Sequence, residues 1–450
     1  MNTETEVFQG NQIGGCVTVI SHTDDHGGTH RIMIDYGASL PGKEPKKDFD
    51  YPWKEKPVDA VFFTHCHADH IGRIAEIPED IPLYMGEVTR EVMLNILNAL
   101  CRLPDHEPDD VLERLSDNGR VHVFENEGKH YKTITDIPGF SIEPYHVDHS
   151  AYDSYMFLVE TPDDTKRSGK KVILHTGDYR DHGRTGKALL PVIRKYIRKN
   201  GRRDVDVLIT EGTMMSRASG RALTEYELQK EAEKYLRDHR YAFLICSSTN
   251  LDSLAGFYQA AKAADGRYMY TYNEYVRSQL ETFSETAGKY SDVYRFDHVY
   301  KLDPERRLKS PLWKDSVSQK EFMEKTGFLA IIKPEDYCEK YIDLFLDSYC
   351  SGRIPEKPVI IYSLWGGYID GREGNTAANG NWVSFFNGQK EKGIEIRYLH
   401  TGGHATAETI AKVITAVDPR EEIIPIHTDD PEGFLGLEIG DELKGRIRMA

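Results

Sequence analysis

Between Val61 and Gly72 the chain reads Val-Phe-Phe-Thr-His-Cys-His-Ala-Asp-His-Ile-Gly. An apolar run leads straight into His65, His67, Asp69 and His70. Packing so many ligand-type side chains into one short loop is costly unless something satisfies them, because a buried polar group without a partner loses its hydration. Divalent cations supply that partner. A tight loop after a strand can fan His65 and His67 toward one cation and Asp69 and His70 toward a second. Imidazole and carboxylate donors suit zinc or manganese.

This H-x-H-x-D-H loop resembles the signature of the metallo-β-lactamase superfamily. The resemblance implies further ligands in a fixed order along the chain. His149, in His149-Ser150-Ala151-Tyr152-Asp153-Ser154, would be the third imidazole on the first metal. His146 is a rival, but Ser150 and the pair Asp153-Ser154 match the family pattern after His149. Asp178, in Leu174-His175-Thr176-Gly177-Asp178, would bridge the metals through its two oxygens. His175 reads as a supporting or core histidine. Asp35, in Ile34-Asp35-Tyr36-Gly37, would orient ligands without binding metal.

Three further segments resemble the β-CASP branch, whose members process nucleic acids, and ribonuclease J in particular. They are Thr210-Glu211-Gly212-Thr213, His400-Thr401-Gly402-Gly403-His404 and Ile424-Pro425-Ile426-His427. By that resemblance His427 completes the second metal with Asp69, His70 and Asp178. His404 would donate a hydrogen bond or proton to the scissile phosphate or leaving group. Glu211 would orient a ligand. The turn Ser247-Ser248-Thr249-Asn250 would bind phosphate together with His400 and His404, although Asn250 or Thr249 could simply cap the following helix. The chain departs from ribonuclease J in two places. Gly402 replaces a serine, and Thr428-Asp429 follows His427 where Gly-Glu is usual. The sequence also ends soon after that histidine, without the extra C-terminal domain of ribonuclease J.

The elements that must position these residues follow from local pattern. β-rich runs are expected at Cys16–Ile20, Arg31–Ile34, Ala60–Thr64, Val121–Phe124, Phe140–Tyr145, Tyr155–Glu160, Val172–His175 and Val205–Thr210. Helical spacing of apolar residues marks Val88–Leu100, Leu190–Lys199 and Ala405–Val417. After Thr213 the style changes. A helix over Thr224–Arg240, with Leu228, Ala232, Tyr235 and Leu236 inward, precedes a strand at Tyr241–Cys246. A helix at Asp252–Ala264 and strands at Arg267–Thr271 and Pro358–Ser363 complete a βαβ signature. Glu395–Leu399 and Glu422–Ile426 read as strands of the first style.

The expected fold is α/β: an αββα metallo-β-lactamase sandwich with an inserted β-CASP domain, a parallel sheet flanked by helices. The sandwich would occupy 1–213 and 389–450, and the insertion 214–388. The function implied is a two-metal phosphodiesterase acting on RNA or another single-stranded nucleic acid, as an endo- or exonuclease. Two alternatives stand beside it: a hydrolase of a small ester or phosphate metabolite, and a non-catalytic nucleic-acid-binding scaffold.

Bulk properties bound these readings. The 450 residues suit two domains, and 39% hydrophobic with 29% charged residues suits a globular chain. A net charge of -16 argues against non-specific clinging to nucleic acid. The basic clusters Lys166–Lys171 and Arg194–Arg203 read first as solvated faces. Tyr268, Tyr270, Tyr272 and Tyr275 could stack on bases or simply fill a core. The polar start, the lack of a long apolar run and six scattered cysteines imply a cytoplasmic chain outside the membrane. A homo-oligomer is compatible with all of this.

Overall fold

The computed structural model describes residues 1–40, 48–101, 113, 115–116, 119–127, 130–217, 222–272, 274–301, 319–370 and 378–449. The chain divides into two units, Met1–Ala222 with Gly403–Ala450, and Leu223–Gly402.

Among the described residues the first unit holds two large sheets and a two-stranded ribbon, Asn126–Glu127 with His130–Tyr131. One orders the strands Asn2–Phe8, Val17–Thr23, Thr29–Ile34, Ala60–Phe62, Leu83–Met85 and Val121–Val123. The other orders Glu422–Ile426, Val207–Glu211, Lys170–His175, Ser154–Pro162 and Ser141–Val147. Side chains alternate across a strand, and Ser154–Pro162 shows what that does here. Tyr155, Phe157 and Val159 pack against Ile20, Ile32, Ile34 and Phe62 of the other sheet. Met156 and Leu158 point the opposite way, toward Ile193, Ile197, Ile410, Val413 and Ile414. A strand buried on both faces must be apolar throughout, and this one nearly is. The helix Ala407–Val417 presents its apolar stripe to that outer layer, with Thr406 capping its first turn. The helix Glu87–Leu100 buries Val88, Val92, Met93 and Leu97. The unit therefore has the expected αββα layering.

The ends of these strands set the site. Ala60–Phe62 runs parallel to Thr29–Ile34, so the loops carrying Asp35 and His65 leave the sheet at the same edge. Val207–Glu211 lies parallel between Lys170–His175 and Glu422–Ile426. The segments bearing Asp178, Glu211 and His427 therefore emerge side by side.

The second unit is one six-stranded sheet, ordered Val299–Lys301, Met269–Thr271, Phe328–Ile331, Tyr241–Cys246, Val359–Ser363, Ile396–Tyr398. Every pairing is parallel. The central strands Tyr-Ala-Phe-Leu-Ile-Cys and Val-Ile-Ile-Tyr-Ser are apolar runs, as a sheet covered on both faces requires. The helix Glu225–Asp238 opens with a reciprocal capping box between Thr224 and Glu227. It buries Leu228, Ala232 and Leu236, while Tyr235 is only half-buried under Arg397.

Two sequence expectations need correction. Met214–Ala222 goes with the first unit, and the insertion extends to Gly402 rather than 388. The cause is the strand Ile396–Tyr398, which pairs with Val359–Ser363 in the inserted sheet instead of returning to the sandwich. The helix expected over Leu190–Lys199 is a short α turn, Leu189–Val192, running into a π-helical turn, Ile193–Ile197. Among the described residues no helix is long and apolar enough to cross a membrane.

Candidate metal centre

Thr64 ends the strand that feeds the His65–His70 loop, and Asp35 holds it. The Thr64 amide and hydroxyl both donate to the Asp35 carboxylate at 2.8 Å. His70 Nδ1 lies 2.8 Å from Asp35 Oδ2. Asp35 thus ties three groups to one anchor, from a backbone at φ 61° that few side chains tolerate. Gly37 follows because nothing larger fits: a Cβ there would sit 1.8 Å from the Asp69 carbonyl oxygen.

The histidine tautomers follow from the second nitrogen of each ring. His149 Nδ1 donates to the Gly403 carbonyl at 2.6 Å, which leaves Nε2 with a bare lone pair. His427 Nδ1 is 2.8 Å from the Thr213 hydroxyl, which itself donates to the His427 carbonyl. His427 Nε2 faces Asp69 Oδ2 at 3.1 Å. Its backbone is also left-handed, at φ 50°. Strain of this kind persists where the surroundings over-determine a position.

Two donor groups result. In the first, His65 Nε2 and His149 Nε2 lie 3.0 and 3.2 Å from His67 Nδ1. Nitrogens bonded to a tetrahedral cation at about 2.0–2.1 Å would be spaced about 3.3 Å apart. In the second, Asp69, His70 and His427 converge, with ligand atoms within 4.8 Å of one another. Asp178 lies between the groups. Its Oδ2 is 3.1 Å from His70 Nε2 and 4.0 Å from His149 Nε2, and its Oδ1 is 3.9 Å from His427 Nδ1.

Asp178 tests whether this cage fits metal. Neither of its buried oxygens makes a well-aligned hydrogen bond, nor does His70 Nε2, although Oδ2 and that nitrogen face each other at 3.1 Å. A buried carboxylate left unsatisfied is expensive. A divalent cation held beside it would satisfy it, so the donor set fits metal. The protonation states of the first group agree. Burial pushes the His67 imidazole down to about 4, and His65 and His149 well below their usual value. Neutral imidazole is the form that binds metal. Burial would raise the Asp178 carboxyl, but the neighbouring His427 and His70 outweigh it and hold it well below the ordinary range.

Beside the cage stands a second device. Glu211 is fully buried. Its Oε1 accepts the Tyr179 and Ala405 amides at 3.0 and 3.3 Å, and its Oε2 lies 3.0 Å from His404 Nδ1. Burial acts to lower the His404 pKa, yet Glu211 and Asp178 raise it above the ordinary histidine value.

The chain places His146 elsewhere. It sits on the strand Ser141–Val147 against Tyr155, and its Nε2 is 2.5 Å from the Tyr152 carbonyl. His175 accepts the Gly177 amide at Nδ1 and meets the Thr18 hydroxyl at 3.2 Å, so it supports the turn into Asp178. Asp153 receives the Thr89 amide at 2.7 Å, anchoring the first turn of the helix Glu87–Leu100 beside the His149 loop. Ser247, Ser248, Asn250 and His400 lie in the inserted unit, and His404 in the first. Asn250 caps the helix Leu251–Ala263 by accepting the Ser253 amide at 3.2 Å. Ser247 and Thr249 hydroxyls pair at 2.9 Å.

Sequence reasoning missed one buried ion pair. Arg180 Nε donates to Asp148 Oδ1 at 2.6 Å, and the Arg180 amide donates to the Asp148 carbonyl at 2.7 Å. Both residues are buried. The pair ties the loop of His149 to the loop of Asp178. The only sequence signal was the position of each charge one or two residues from a candidate ligand.

Comparison with known proteins agrees with this architecture. Residues 30–232 match a family described as a beta-lactamase superfamily domain. Ribonuclease J of Mycoplasma genitalium is 27% identical over 189 residues, covering 41% of this chain and 28% of that protein. Ribonuclease J of Mycobacterium tuberculosis is 26% identical over 285 residues, covering 60% and 44%. The chain thus spans less than half the length of these two relatives. A crystal structure of an Enterococcus faecalis protein of unknown function shares the fold, with a TM-score of 0.64, 18% identity and 96% of each chain covered.

Proposed function

We propose that this chain, which belongs to the metallo-β-lactamase superfamily and is related to the ribonuclease J proteins, is a two-metal nuclease that hydrolyses phosphodiester bonds in single-stranded RNA. The observation that carries this is the Asp178 carboxylate, buried between two sets of imidazole and carboxylate donors with no well-aligned hydrogen bond of its own. His65, His67 and His149 would hold one cation, Asp69, His70 and His427 the other, and Asp178 both. Bound there, divalent cations, zinc or manganese, supply the positive charge that activates water and neutralises the phosphoryl oxygens.

The chain's own residues do the rest. Asp35 and Thr213 fix the ring orientations of His70 and His427 through their Nδ1 atoms. Glu211 accepts at His404 Nδ1, which leaves Nε2 to hand a proton to the leaving oxygen. The raised pKa of His404 keeps that proton available near neutrality. Ser247, Ser248 and His400 are proposed phosphate contacts within the inserted unit. The free thiols of all six cysteines support a reducing compartment such as the cytoplasm.

The net charge of -16 favours a second reading, a hydrolase of a small ester or phosphate metabolite. Digestion of end-labelled single-stranded RNA and DNA, with 5′-phosphate and 5′-hydroxyl ends compared, separates the two. Cleavage by the metal-loaded protein, lost in His67→Ala and Asp69→Ala, is expected. Unchanged cleavage in either variant would sink the metal mechanism, and no cleavage by the wild type would favour the small-molecule reading.

A further inference from the structure

A chain of net charge -16 meets RNA with a handicap. Counterion release by lysines and arginines normally supplies most of the affinity for a phosphate backbone. An acidic protein must find affinity in another term, and stacking of bases on aromatic rings is the main alternative.

The inserted unit carries such a surface. In a parallel sheet all strands end on one edge, and ligands of open α/β sheets bind at the carboxyl ends. Val359–Ser363 and Ile396–Tyr398 are adjacent parallel strands, with Tyr362 opposite Tyr398. Trp365 and Tyr368 follow the first strand, and His400 follows the second. Tyr362 packs 6.1 Å from Tyr398, with an angle of 32° between the rings, and its hydroxyl donates to the Trp365 carbonyl at 3.0 Å. Tyr398 lies 6.2 Å from His400. Trp365 packs edge-on against Tyr368 at 5.3 Å, and Tyr368 against Trp382 at 6.0 Å.

Burial sorts these rings. Tyr362 is buried and belongs to the core. Tyr398 is 57% exposed and Tyr368 39%. Among the described residues Ile396–Tyr398 is the edge strand of the sheet, with no further strand beyond Tyr398. The loop after Val359–Ser363 is shaped around the aromatics. A Cβ at Gly367 would collide with the Trp365 ring at 2.3 Å, so the indole lies directly on that backbone. Rings so supported lose little freedom when a base stacks on them, which is what a stacking platform needs.

We propose that Tyr398, Tyr368 and Trp365, at the carboxyl edge of the inserted sheet, form a stacking surface for the bases of single-stranded RNA. The inference rests on the reading of RNA as the substrate. It commits the chain to a binding mode in which bases, rather than phosphates, carry the affinity.

The test uses the full-length protein with its metals chelated, so that it binds without cutting. A 3′-labelled ten-nucleotide oligoadenylate and an abasic strand of equal length serve as probes in fluorescence anisotropy. Tyr398→Ala and Tyr368→Ala change exposed residues and leave the sheet intact. Each is expected to weaken oligoadenylate binding about tenfold and to leave abasic binding unchanged. The wild type should prefer oligoadenylate to the abasic strand, with an affinity that depends only shallowly on salt. Wild-type affinity in both variants, or equal binding of the two strands, overturns the proposal. RNA cleavage by the metal-loaded wild type is read separately. Cleavage together with unaffected binding in Tyr398→Ala overturns the stacking surface alone. Tyrosine-dependent binding without cleavage supports the surface and removes the nuclease reading.

Discussion

Glu211 and His404 are 193 residues apart in sequence and 3.0 Å apart in space. The carboxylate that meets the imidazole is itself held by the Tyr179 and Ala405 amides. An acid that must present one tautomer needs such a partner, and the partner must not move.

Glu211→Gln keeps shape and removes charge. With its glutamate partner gone, His404 should lose its raised pKa. kcat on RNA is expected to fall by about 10²–10⁴-fold, with metal content unchanged. The alkaline limb of the kcat profile should move to lower pH. Steady-state kinetics across pH 5–9 with metal analysis checks this, and a uniform loss with no shift in the profile would count against it.

Asp35 supports Thr64 and His70 from a left-handed backbone. Asparagine tolerates that backbone and alanine does not. Asp35→Asn should lower metal affinity about 10–100-fold at nearly normal folding stability. Asp35→Ala should lose metal and also about 1–2 kcal/mol of stability. Chelator competition and urea unfolding of the metal-free proteins separate the two effects.

Metal uptake should release protons. Without metal, burial works to lower the His70 pKa, but Asp178 and Asp35 outweigh it and raise it well above 6.5. A raised histidine stabilises the fold fully below its unfolded pKa, and that contribution disappears as pH rises through the folded value. The chelated protein should therefore weaken between neutral and alkaline pH, while metal affinity climbs over the same range because the ligand must lose its proton. Calorimetric titration with zinc in buffers of different ionisation enthalpy measures the release. A heat independent of buffer would contradict it.

The Asp148–Arg180 pair makes an asymmetric prediction. Removing one member of a buried pair strands the other charge, at a cost of about 3–5 kcal/mol, whereas removing both can be close to neutral. Arg180→Met should unfold at much lower urea than wild type, and the double variant Asp148→Asn with Arg180→Met should recover most of the loss. If the double variant is the weaker of the two, the pair is not coupled in this way.

The residues that converge in the candidate metal centre were legible because the chain keeps most of them in short runs at strand ends. His65, His67, Asp69 and His70 share one loop, and Asp178 and His427 each follow an apolar strand. Spacing alone did not separate His146 from His149. The difference is that a strand carries His146 up to its carbonyl partner at Tyr152, while the loop beyond releases His149 toward Gly403. The strand at Ile396–Tyr398 was found but assigned to the wrong sheet. A three-residue strand holds no pattern that names its neighbour, and its register with Val359–Ser363 is a non-local fact. The aromatic signal misled in the same way. Tyr270 and Tyr272 are buried, while the exposed rings Tyr368 and Tyr398 were not among the tyrosines that sequence reasoning singled out.

The strand Glu422–Ile426 pairs with Val207–Glu211 and delivers His427, although the whole inserted unit separates them along the chain. A ribosome makes the polypeptide from its amino end, and domains fold as they emerge. The sandwich must therefore wait, with one edge unpaired and its cage open, until the insertion has been synthesised. A nascent chain that so far ends within the insertion lacks His404 and His427, and on this reading it is unable to cut the RNA that encodes it.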